Sequence, residues 1–276
     1  MPELPEVETV RRQMAAALGG RKVIRAEVLY PKAIRPLRPA EFVKKVTGAT
    51  IRGVDRRAKL LLLHLTNGNS LVVHLKMTGR LLLKDDAAEP NQATEIIFDL
   101  SGPNKFFYDD IRRFGFVKLM PTKNIADYLE KKEGFGPEPL AASFTVSVFK
   151  NLLRKKPRSK IKPLLMDPTF IAGVGNIYAQ EACFCAKILP SRPAASLTDD
   201  ERRRLYRCLR NILRDALKHR GSSVDAYLDL FGRPGEFVPK LKVYDRAGKP
   251  CPRCRAFIQK ITLAGRGTSF CPNCQL

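Results

Sequence analysis

The sequence predicts an α+β protein in which an N-terminal helix lies on an antiparallel β-sandwich, followed by a helical region and a C-terminal β-hairpin. Three features of the chain support this fold class. Short β-rich runs separated by turn residues extend from Val23 to about Met120, as in antiparallel sheets. Helical periodicity returns after the breaker-rich segment 134–139. Two pairs of cysteines close the chain and flank a strand-like pattern.

Composition and charge limit the class of partner. The chain has 276 residues, and 50 Lys and Arg against 27 Asp and Glu give a formal net charge of +23, which favours a polyanion. Hydrophobic residues make up 44%, which excludes a wholly disordered basic tail. The length predicts two domains and a small third module, with divisions at 1–134, 135–237 and 238–276. Without a span of ~18 apolar residues or an apolar signal core, we expect a cytoplasmic protein that does not contact a membrane.

The predicted elements follow from hydrophobic spacing. The first is a helix entered at Pro2 and Glu3 and ended by Gly19-Gly20, with apolar positions at Val7, Val10, Met14 and Leu18. The β-rich runs lie at 59–65, 70–77, 95–100, 105–108 and 115–120. Later helical patterns cover 144–154, 161–166, the residues after Asn176, and 198–219 with a cap-like start. One window is basic without any acid, at Lys150, Arg154, Lys155, Lys156, Arg158, Lys160 and Lys162.

The four C-terminal cysteines have the spacing of a metal site. Two C-x2-C pairs, separated by sixteen residues, can direct four thiolates to one zinc ion and leave no open coordination position, at Cys251, Cys254, Cys271 and Cys274. The alternative, a redox dithiol, needs one pair rather than two. We expect Cys183, Cys185 and Cys208 to be small buried hydrophobic residues in helices.

The segment between the two cysteine pairs has the pattern of a β-hairpin. A strand at 257–263 and its return at 268–270 leave Gly265-Arg266-Gly267 at the tip. Glycines allow close approach of a ligand, and the Arg266 guanidinium offers a planar fork for a phosphate. The hairpin therefore resembles a finger that enters nucleic acid, with a solvated turn arginine as the alternative.

The N-terminus offers a nucleophile. If Met1 is removed, Pro2 becomes a secondary amine, and α-amino groups have a pKa of roughly 8, so part of the population is unprotonated near neutrality. Such an amine can attack a sugar carbon and form an iminium, with the carboxyl groups of Glu3 and Glu6 available for proton transfer. The alternative is structural, because Pro and Glu are common in the first turn of any helix.

Several motifs in register resemble the formamidopyrimidine-DNA glycosylase family. The resemblance spans the chain and rests on residues 2–9 (PELPEVET), 56–59 (RRAK), 74–77 (HLKM), 110–115 (DIRRFG), 172–179 (AGVGNIYA) and the cysteine hairpin. Leu4 favours this branch over the endonuclease VIII branch, where Gly is usual at that position. The chain departs from the family pattern at Arg255, where Gly is common, and at Thr94-Glu95, which lacks a frequent histidine.

The resemblance implies a role for each matching residue. Four residues would be catalytic. Pro2 would be the nucleophile on C1′, Glu3 the acid and Lys59 a phosphate contact beside the amine, and Arg266 would be the fourth. The DNA-binding residues would be Glu6, His74, Met77, Arg112, Phe114, Lys160, Asn176 and Tyr178. Met77, Arg112 and Phe114 would fill the gap left by an extruded base. The residue types alone also allow a structural alternative at most of these positions. The alternatives are a core position for Met77 and Phe114, a strand edge for Lys59, a partly buried position for His74, a solvated face for Lys160, the edge of the core for Tyr178 and an ordinary helix cap for Asn176.

The resemblance also implies a helix–two-turn–helix around residues 173–176 and a mobile loop within 221–237 that closes over the flipped base. Together these features predict a monomeric, bifunctional glycosylase and lyase that acts on double-stranded DNA with oxidised purines or abasic sites. The reaction would need no metal, and one zinc would shape the finger. Two alternatives stay open, an endonuclease VIII-like enzyme for oxidised pyrimidines and a non-catalytic zinc protein that binds DNA or RNA.

Overall fold

A computed structural model describes residues 1–276. The chain divides into two compact units, Met1–Glu133 with His219–Val238, and Gly134–Lys218 with Pro239–Leu276. The segment His219–Val238 thus belongs to the first unit although it follows the helices of the second unit in sequence. No helix combines the length and the apolar character needed to cross a membrane.

The first unit contains three helices and two antiparallel four-stranded sheets. Its helices are α1 (Leu4–Leu18), α2 (Pro39–Val46) and α3 (Ile125–Tyr128). Its strands are β1 (Val23–Val28), β2 (Ile51–Arg57), β3 (Leu60–Leu65), β4 (Asn69–His74), β5 (Gly79–Lys84), β6 (Thr94–Leu100), β7 (Lys105–Asp110) and β8 (Phe116–Pro121). One sheet has the order β1-β6-β7-β5 and the other β2-β3-β4-β8.

The core of the first unit lies where both sheets and α1 contribute apolar side chains. Val10 and Met14 of α1 are fully buried in one cluster with Leu61 of the second sheet and Phe98 of the first. Such a core buries one face of each sheet, which is how two sheets pack as a sandwich. The predicted N-terminal helix on an antiparallel sandwich is confirmed.

The expectation of only short strands between Val23 and Met120 is wrong at α2. This helix begins with Pro39 in its first turn and buries Phe42 and Val46, which are four residues apart. These are the only buried residues of the eight, and a helix of about two turns is too short to display a clear helical period in the sequence. Packing of that single face against the core stabilises the helix.

The second unit contains helices and one small hairpin. The helices are α4 (Val146–Arg154), α5 (Ile161–Met166), α6 (Asn176–Cys185) and α7 (Asp199–Lys218), and the hairpin strands are β9 (Gln259–Leu263) and β10 (Arg266–Phe270). The cap-like start of α7 is a capping box, because Thr198 N–H donates to Glu201 Oε2 at 2.8 Å and Glu201 N–H to Thr198 Oγ1 at 3.2 Å. The predicted helical region and C-terminal hairpin are confirmed.

Two of the cysteines differ from expectation. Cys185 of α6 and Cys208 of α7 form a disulfide with a Cα–Cα distance of 5.7 Å, so they are not separate thiols. The sequence conceals this pair because the two residues are 23 positions apart and meet only when α6 packs on α7. Cys183 is a free, fully buried thiol, as expected.

Candidate active site and nucleic-acid interface

The N-terminal residues assigned to catalysis lie at the start of α1. Pro2 and Glu3 are buried, with 2% of Glu3 exposed, whereas Met1 is exposed. Glu3 is the N-cap residue, and its N–H donates to Glu6 Oε2 at 2.8 Å within a capping box. This cap fixes the backbone next to Pro2, and Met1 takes no part in the capping box.

Glu6 connects α1 to the segment His219–Val238. Its second oxygen, Oε1, accepts the Ser222 N–H at 2.7 Å. Gly221 has a φ of +83°, and a Cβ at that position would lie 2.5 Å from Glu6 Oε1, so glycine is required there. The segment that contains the predicted mobile loop is therefore anchored one helical turn from Glu3. A role of this loop in base recognition stays a prediction.

Lys59 lies in the two-residue turn between β2 and β3. Ala58 has a φ of +53°, and Arg56 donates both to the Ala58 carbonyl at 2.8 Å and to Glu8 Oε2 of α1 at 2.9 Å. Burial raises the pKa of Glu8, but hydrogen bonds from Arg56 and two other arginines outweigh it and hold that pKa below its usual range. A charged carboxylate on α1 thus fixes the turn that carries Lys59.

His74 at the end of β4 is a neutral hydrogen-bond donor. Burial, and then the positive charges of Lys76 and Lys59, lower the pKa of His74 to about 3. Its Nδ1 accepts the Lys76 N–H at 2.9 Å, so the ring proton resides on Nε2. A neutral imidazole with a free Nε2–H beside two lysines suits a phosphate contact, and that role stays a prediction.

The three residues predicted to enter the duplex lie on two neighbouring turns. Met77 is half-buried in the turn after β4, and Arg112 and Phe114 lie in the connection between β7 and β8. Phe114 is 56% exposed, and the Arg112 guanidinium lies 4.7 Å from the centroid of its ring. The core alternative for Phe114 is wrong, because its ring projects into solvent from a short turn.

Left-handed backbone recurs beside the predicted DNA contacts. Of the eight residues other than glycine with a positive φ, four lie at such positions, namely Ala58 next to Lys59, Lys76 before Met77, Arg113 between Arg112 and Phe114, and Ala264 in the hairpin turn before Arg266. Residues other than glycine adopt this conformation only where surrounding contacts impose it, and such residues cluster at functional sites. The fold therefore imposes four tight turns at the positions predicted to approach DNA.

Asn176 begins α6 in the second unit. Gly173, with a φ of +82°, and the N-cap residue Gly175 provide the reversal that the G-x-G-N pattern predicts. The Asn176 Nδ2 donates to the Gly267 carbonyl of the hairpin at 3.3 Å, while its Oδ1 has no partner. A helix N-terminus of this kind can bind a phosphate, and a phosphate contact at Asn176 stays a prediction.

Gln180 joins the hairpin to α6, and sequence reasoning missed it. Its Nε2 donates to the Asn176 carbonyl at 2.8 Å and to the Gly267 carbonyl at 3.3 Å, and its Oε1 accepts the Ser269 N–H at 2.6 Å. A single buried amide thereby pairs with β10 as a neighbouring strand would. Arg266, exposed as the first residue of β10, is held in a fixed place relative to Asn176. The tight turn is Ala264-Gly265, one residue earlier than predicted.

The four C-terminal cysteines fit one zinc ion. Their sulfurs all lie within 4.8 Å of one another, with Cys251–Cys274 at 3.9 Å and Cys254–Cys271 at 3.5 Å. Tetrahedral zinc with bonds of about 2.3 Å to sulfur needs sulfur–sulfur distances of roughly 3.8 Å. The backbone N–H of Arg253 donates to the Cys251 sulfur and that of Cys274 to the Cys271 sulfur, and such bonds orient thiolates that hold a metal. This arrangement is a structural zinc site.

The basic window of the second unit is mostly solvent-facing. Five of its residues are exposed, at Arg154, Lys155, Lys156, Arg158 and Lys160. Lys162 is instead fully buried and donates to Thr268 Oγ1 of β10 at 3.0 Å. Tyr178 is also fully buried, which agrees with the core alternative, and its contact with a phosphate stays a prediction.

The chain matches three family models that together cover most of its length. Residues 1–117 match the formamidopyrimidine-DNA glycosylase N-terminal domain, residues 135–227 the H2TH domain of the same family, and residues 248–276 a zinc finger found in FPG and IleRS. The H2TH match covers the turn before Asn176, and the zinc-finger match covers all four cysteines.

Relatives and solved structures agree with the family models over the whole chain. A formamidopyrimidine-DNA glycosylase of Pelotomaculum thermopropionicum is 45% identical and covers 100% of this chain and 99% of its own. A Lactococcus lactis FPG mutant in complex with a Fapy-dG containing DNA has a TM-score of 0.92, 38% identity and 99% coverage of both chains. The Lactococcus lactis Fpg with an abasic site containing DNA has the same scores. The chain therefore belongs to the formamidopyrimidine-DNA glycosylase family.

Proposed function

We propose that this protein is a bifunctional glycosylase and abasic-site lyase of base excision repair. It removes oxidised purines, such as 8-oxoguanine and formamidopyrimidines, from double-stranded DNA. The observation that carries the proposal is the pair of buried residues Pro2 and Glu3 at the capped start of α1. Arg56 links that helix to the turn of Lys59. The Pro2 nitrogen, the Glu3 carboxyl group and the Lys59 cation therefore belong to one compact unit.

The reaction begins when Met1 is absent and the Pro2 nitrogen is a free secondary amine. Its lone pair forms a bond to C1′ of the damaged nucleotide, and the N-glycosidic bond breaks with its electrons going to the base, which takes up the proton that the Pro2 nitrogen loses. Glu3 assists by protonating the sugar ring oxygen as the ring opens. The product is an iminium that covalently joins Pro2 to the sugar.

Strand cleavage follows from the acidity of that iminium. The cationic nitrogen acidifies the C2′ proton, so its removal expels the 3′ phosphate by β-elimination. A second elimination then breaks the C5′–O bond and frees the sugar from the DNA, and water hydrolyses the bond between C1′ and the Pro2 nitrogen to return the amine. Lys59 and Arg266 bind phosphates beside the reacting sugar and stabilise the negative charge of the leaving groups. Zinc supports the fold of the hairpin that carries Arg266 and takes no part in the bond changes.

DNA binding involves both units. Met77, Arg112 and Phe114 occupy the gap in the base stack, and His74, Lys160, Asn176 and Tyr178 form the phosphate-binding set. We assign the chemistry to a domain of residues 1–134, further DNA binding to a helix–two-turn–helix domain of residues 135–237, and the zinc-finger hairpin to residues 238–276. The exposed cations of the second unit support this assignment, because neutralising phosphates releases counterions and supplies most of the affinity. The enzyme acts as a monomer in the cytoplasm, where the bacterial nucleoid lies.

Excision and borohydride trapping test the proposal together. Duplexes that carry 8-oxoguanine or thymine glycol are incubated with the wild-type protein and with a variant whose N-terminus is extended by a few residues. We expect faster excision of 8-oxoguanine, and a trapped adduct that the extended variant and Pro2→Gly form far less. Preference for thymine glycol would indicate an endonuclease VIII-like enzyme. Tight binding without any adduct would indicate a non-catalytic DNA-binding protein.

A further inference from the structure

Asp110 lies between the two turns that carry Met77, Arg112 and Phe114. We call these three the wedge residues, because they are proposed to fill the gap in the base stack. We name residues 75–79 and 110–115 the wedge turns, because the first contains Met77 and the second contains Arg112 and Phe114. Asp110 is the last residue of β7 and is fully buried. Its partner across the sheet is Gly79, the last residue of the other wedge turn. A buried carboxylate at this place must find compensating donors.

The Asp110 carboxylate accepts hydrogen bonds from both wedge turns. Its Oδ2 accepts the N–H groups of Phe114 at 2.9 Å and Gly115 at 2.7 Å. Its Oδ1 accepts the Thr78 hydroxyl and the Arg112 N–H. Three backbone N–H groups therefore converge on one carboxylate, as they do in anion-binding nests.

Thr78 completes the link between the two turns. Its hydroxyl donates to Asp110 and accepts the Arg112 N–H at 2.9 Å, so one oxygen joins the residue after Met77 to the backbone of Arg112. The return of the second turn is also closely confined, because a Cβ at Gly115 would lie 2.7 Å from the His74 carbonyl oxygen. The backbone of the wedge turns thus has little freedom, while the side chains of Arg112 and Phe114 project outward.

We propose that Asp110, together with Thr78, is a positioning residue that holds Met77, Arg112 and Phe114 in one geometry so that they enter the duplex as a unit. The inference rests on the proposed function, because it requires these three residues to fill the gap in the base stack. Asp110 makes no contact with DNA. It acts on base extrusion through the wedge residues, and the bond changes at the sugar do not depend on it.

The test compares two substrates for the Asp110→Asn variant. One is a duplex that carries 8-oxoguanine, where the base stack must be opened, and the other is a single strand with a preformed abasic site, where it need not be. An asparagine presents an N–H2 group to backbone N–H donors, so one set of charge-assisted hydrogen bonds is lost. We expect kcat/KM on the duplex to fall about ten- to hundredfold, the factor implied by such a loss. Cleavage of the single strand should change by less than about twofold.

The double variant Asp110→Asn with Phe114→Ala separates positioning from a general structural role. If Asp110 acts through the wedge, the two substitutions share part of one effect, so the double variant excises 8-oxoguanine faster than the product of the two single losses predicts. If both effects multiply, or if the single-strand reaction falls as much as the duplex reaction, the inference is overturned. Asp109→Asn is the matched control, since Asp109 is also buried but bonds Thr94 and Asn91 outside the wedge turns.

Two further comparisons keep the result decisive. Should Asp110→Asn fail to fold, Thr78→Val and Thr78→Ser replace it, because only serine keeps the hydroxyl that joins the turns. Slow duplex excision by the valine variant and near wild-type excision by the serine variant support the inference, and equal rates contradict it. Unchanged excision by Phe114→Ala would instead refute the wedge assignment in the proposed function. Slow excision by Phe114→Ala with normal excision by Asp110→Asn would refute the inference alone.

Discussion

Replacing Glu95 by glutamine should change how the stability of the protein depends on pH. Glu95 lies at an irregularity in the pairing of β6 with β7, is 1% exposed, and neither of its carboxylate oxygens has a hydrogen-bond partner. Burial, and then the negative charges of Asp110 and Asp109 against the opposing charge of Arg113, raise its pKa from 4.5 to about 7. The folded protein therefore keeps a neutral carboxyl group where the unfolded chain has already ionised.

The sign and size of the effect follow from that difference. Below pH 4.5 the group is protonated in both states, and its contribution to stability is fully present. As the pH rises to about 7, only the unfolded chain loses the proton, so the free energy of unfolding falls. The difference between 4.5 and about 7, at 1.36 kcal/mol for each pKa unit, corresponds to about 3 kcal/mol.

Denaturant unfolding followed by circular dichroism measures this effect, since the chain contains no tryptophan for fluorescence. Glu95→Gln cannot ionise, so its free energy of unfolding relative to wild type should rise by about 3 kcal/mol between pH 4.5 and pH 8. Glu130→Gln, at an exposed position, is the control and should show no such trend. A constant difference between Glu95→Gln and wild type over this range would refute the reasoning.

Three other predictions concern the site. Gly221→Ala places a Cβ against Glu6 Oε1 and should lower kcat/KM on 8-oxoguanine duplexes at least tenfold, which single-turnover kinetics would show; an unchanged rate would mean that this anchor is dispensable. Gln180→Leu removes the hydrogen bonds between α6 and β10, which we call the Gln180 clamp, and should raise the Kd for abasic-site DNA several-fold in a fluorescence anisotropy titration. Equal affinity of the variant and the wild type would show that DNA binding does not depend on this clamp. Chelation of zinc should abolish DNA binding and leave the far-ultraviolet signal of the sandwich in place. Persistent binding after chelation would show that the hairpin is not needed.

Local patterns made much of the fold predictable. α1 follows from its apolar spacing and the glycines that end it, α5 coincides with the predicted range 161–166, and α6 begins at Asn176, directly after the G-x-G turn. The zinc site follows from cysteine spacing alone, because each C-x2-C pair is a local structure. These features depend on residues within a few positions of one another, where sequence order and proximity coincide.

Features formed by residues far apart in the sequence could not be predicted from local patterns. The Cys185–Cys208 pair, the anchoring of Ser222 on Glu6 and the Gln180 clamp all join residues that are 23 or more positions apart. Asp110 lies within a motif recognised in the sequence, yet its bonds to backbone N–H groups exist only once both wedge turns are folded. Exposure could not be read from residue type either, since Tyr178 is buried while Phe114 projects into solvent.

Peptide mapping of the borohydride-trapped complex identifies the protein nitrogen that bonds to the sugar. The protein is incubated with an 8-oxoguanine duplex, reduced, digested with a protease, and the peptide that carries the sugar is identified by tandem mass spectrometry. We predict a modified peptide that begins at Pro2, lacks Met1 and carries the sugar on its terminal nitrogen. Sugar attached to a lysine instead, or full excision by protein that retains Met1, would contradict the account.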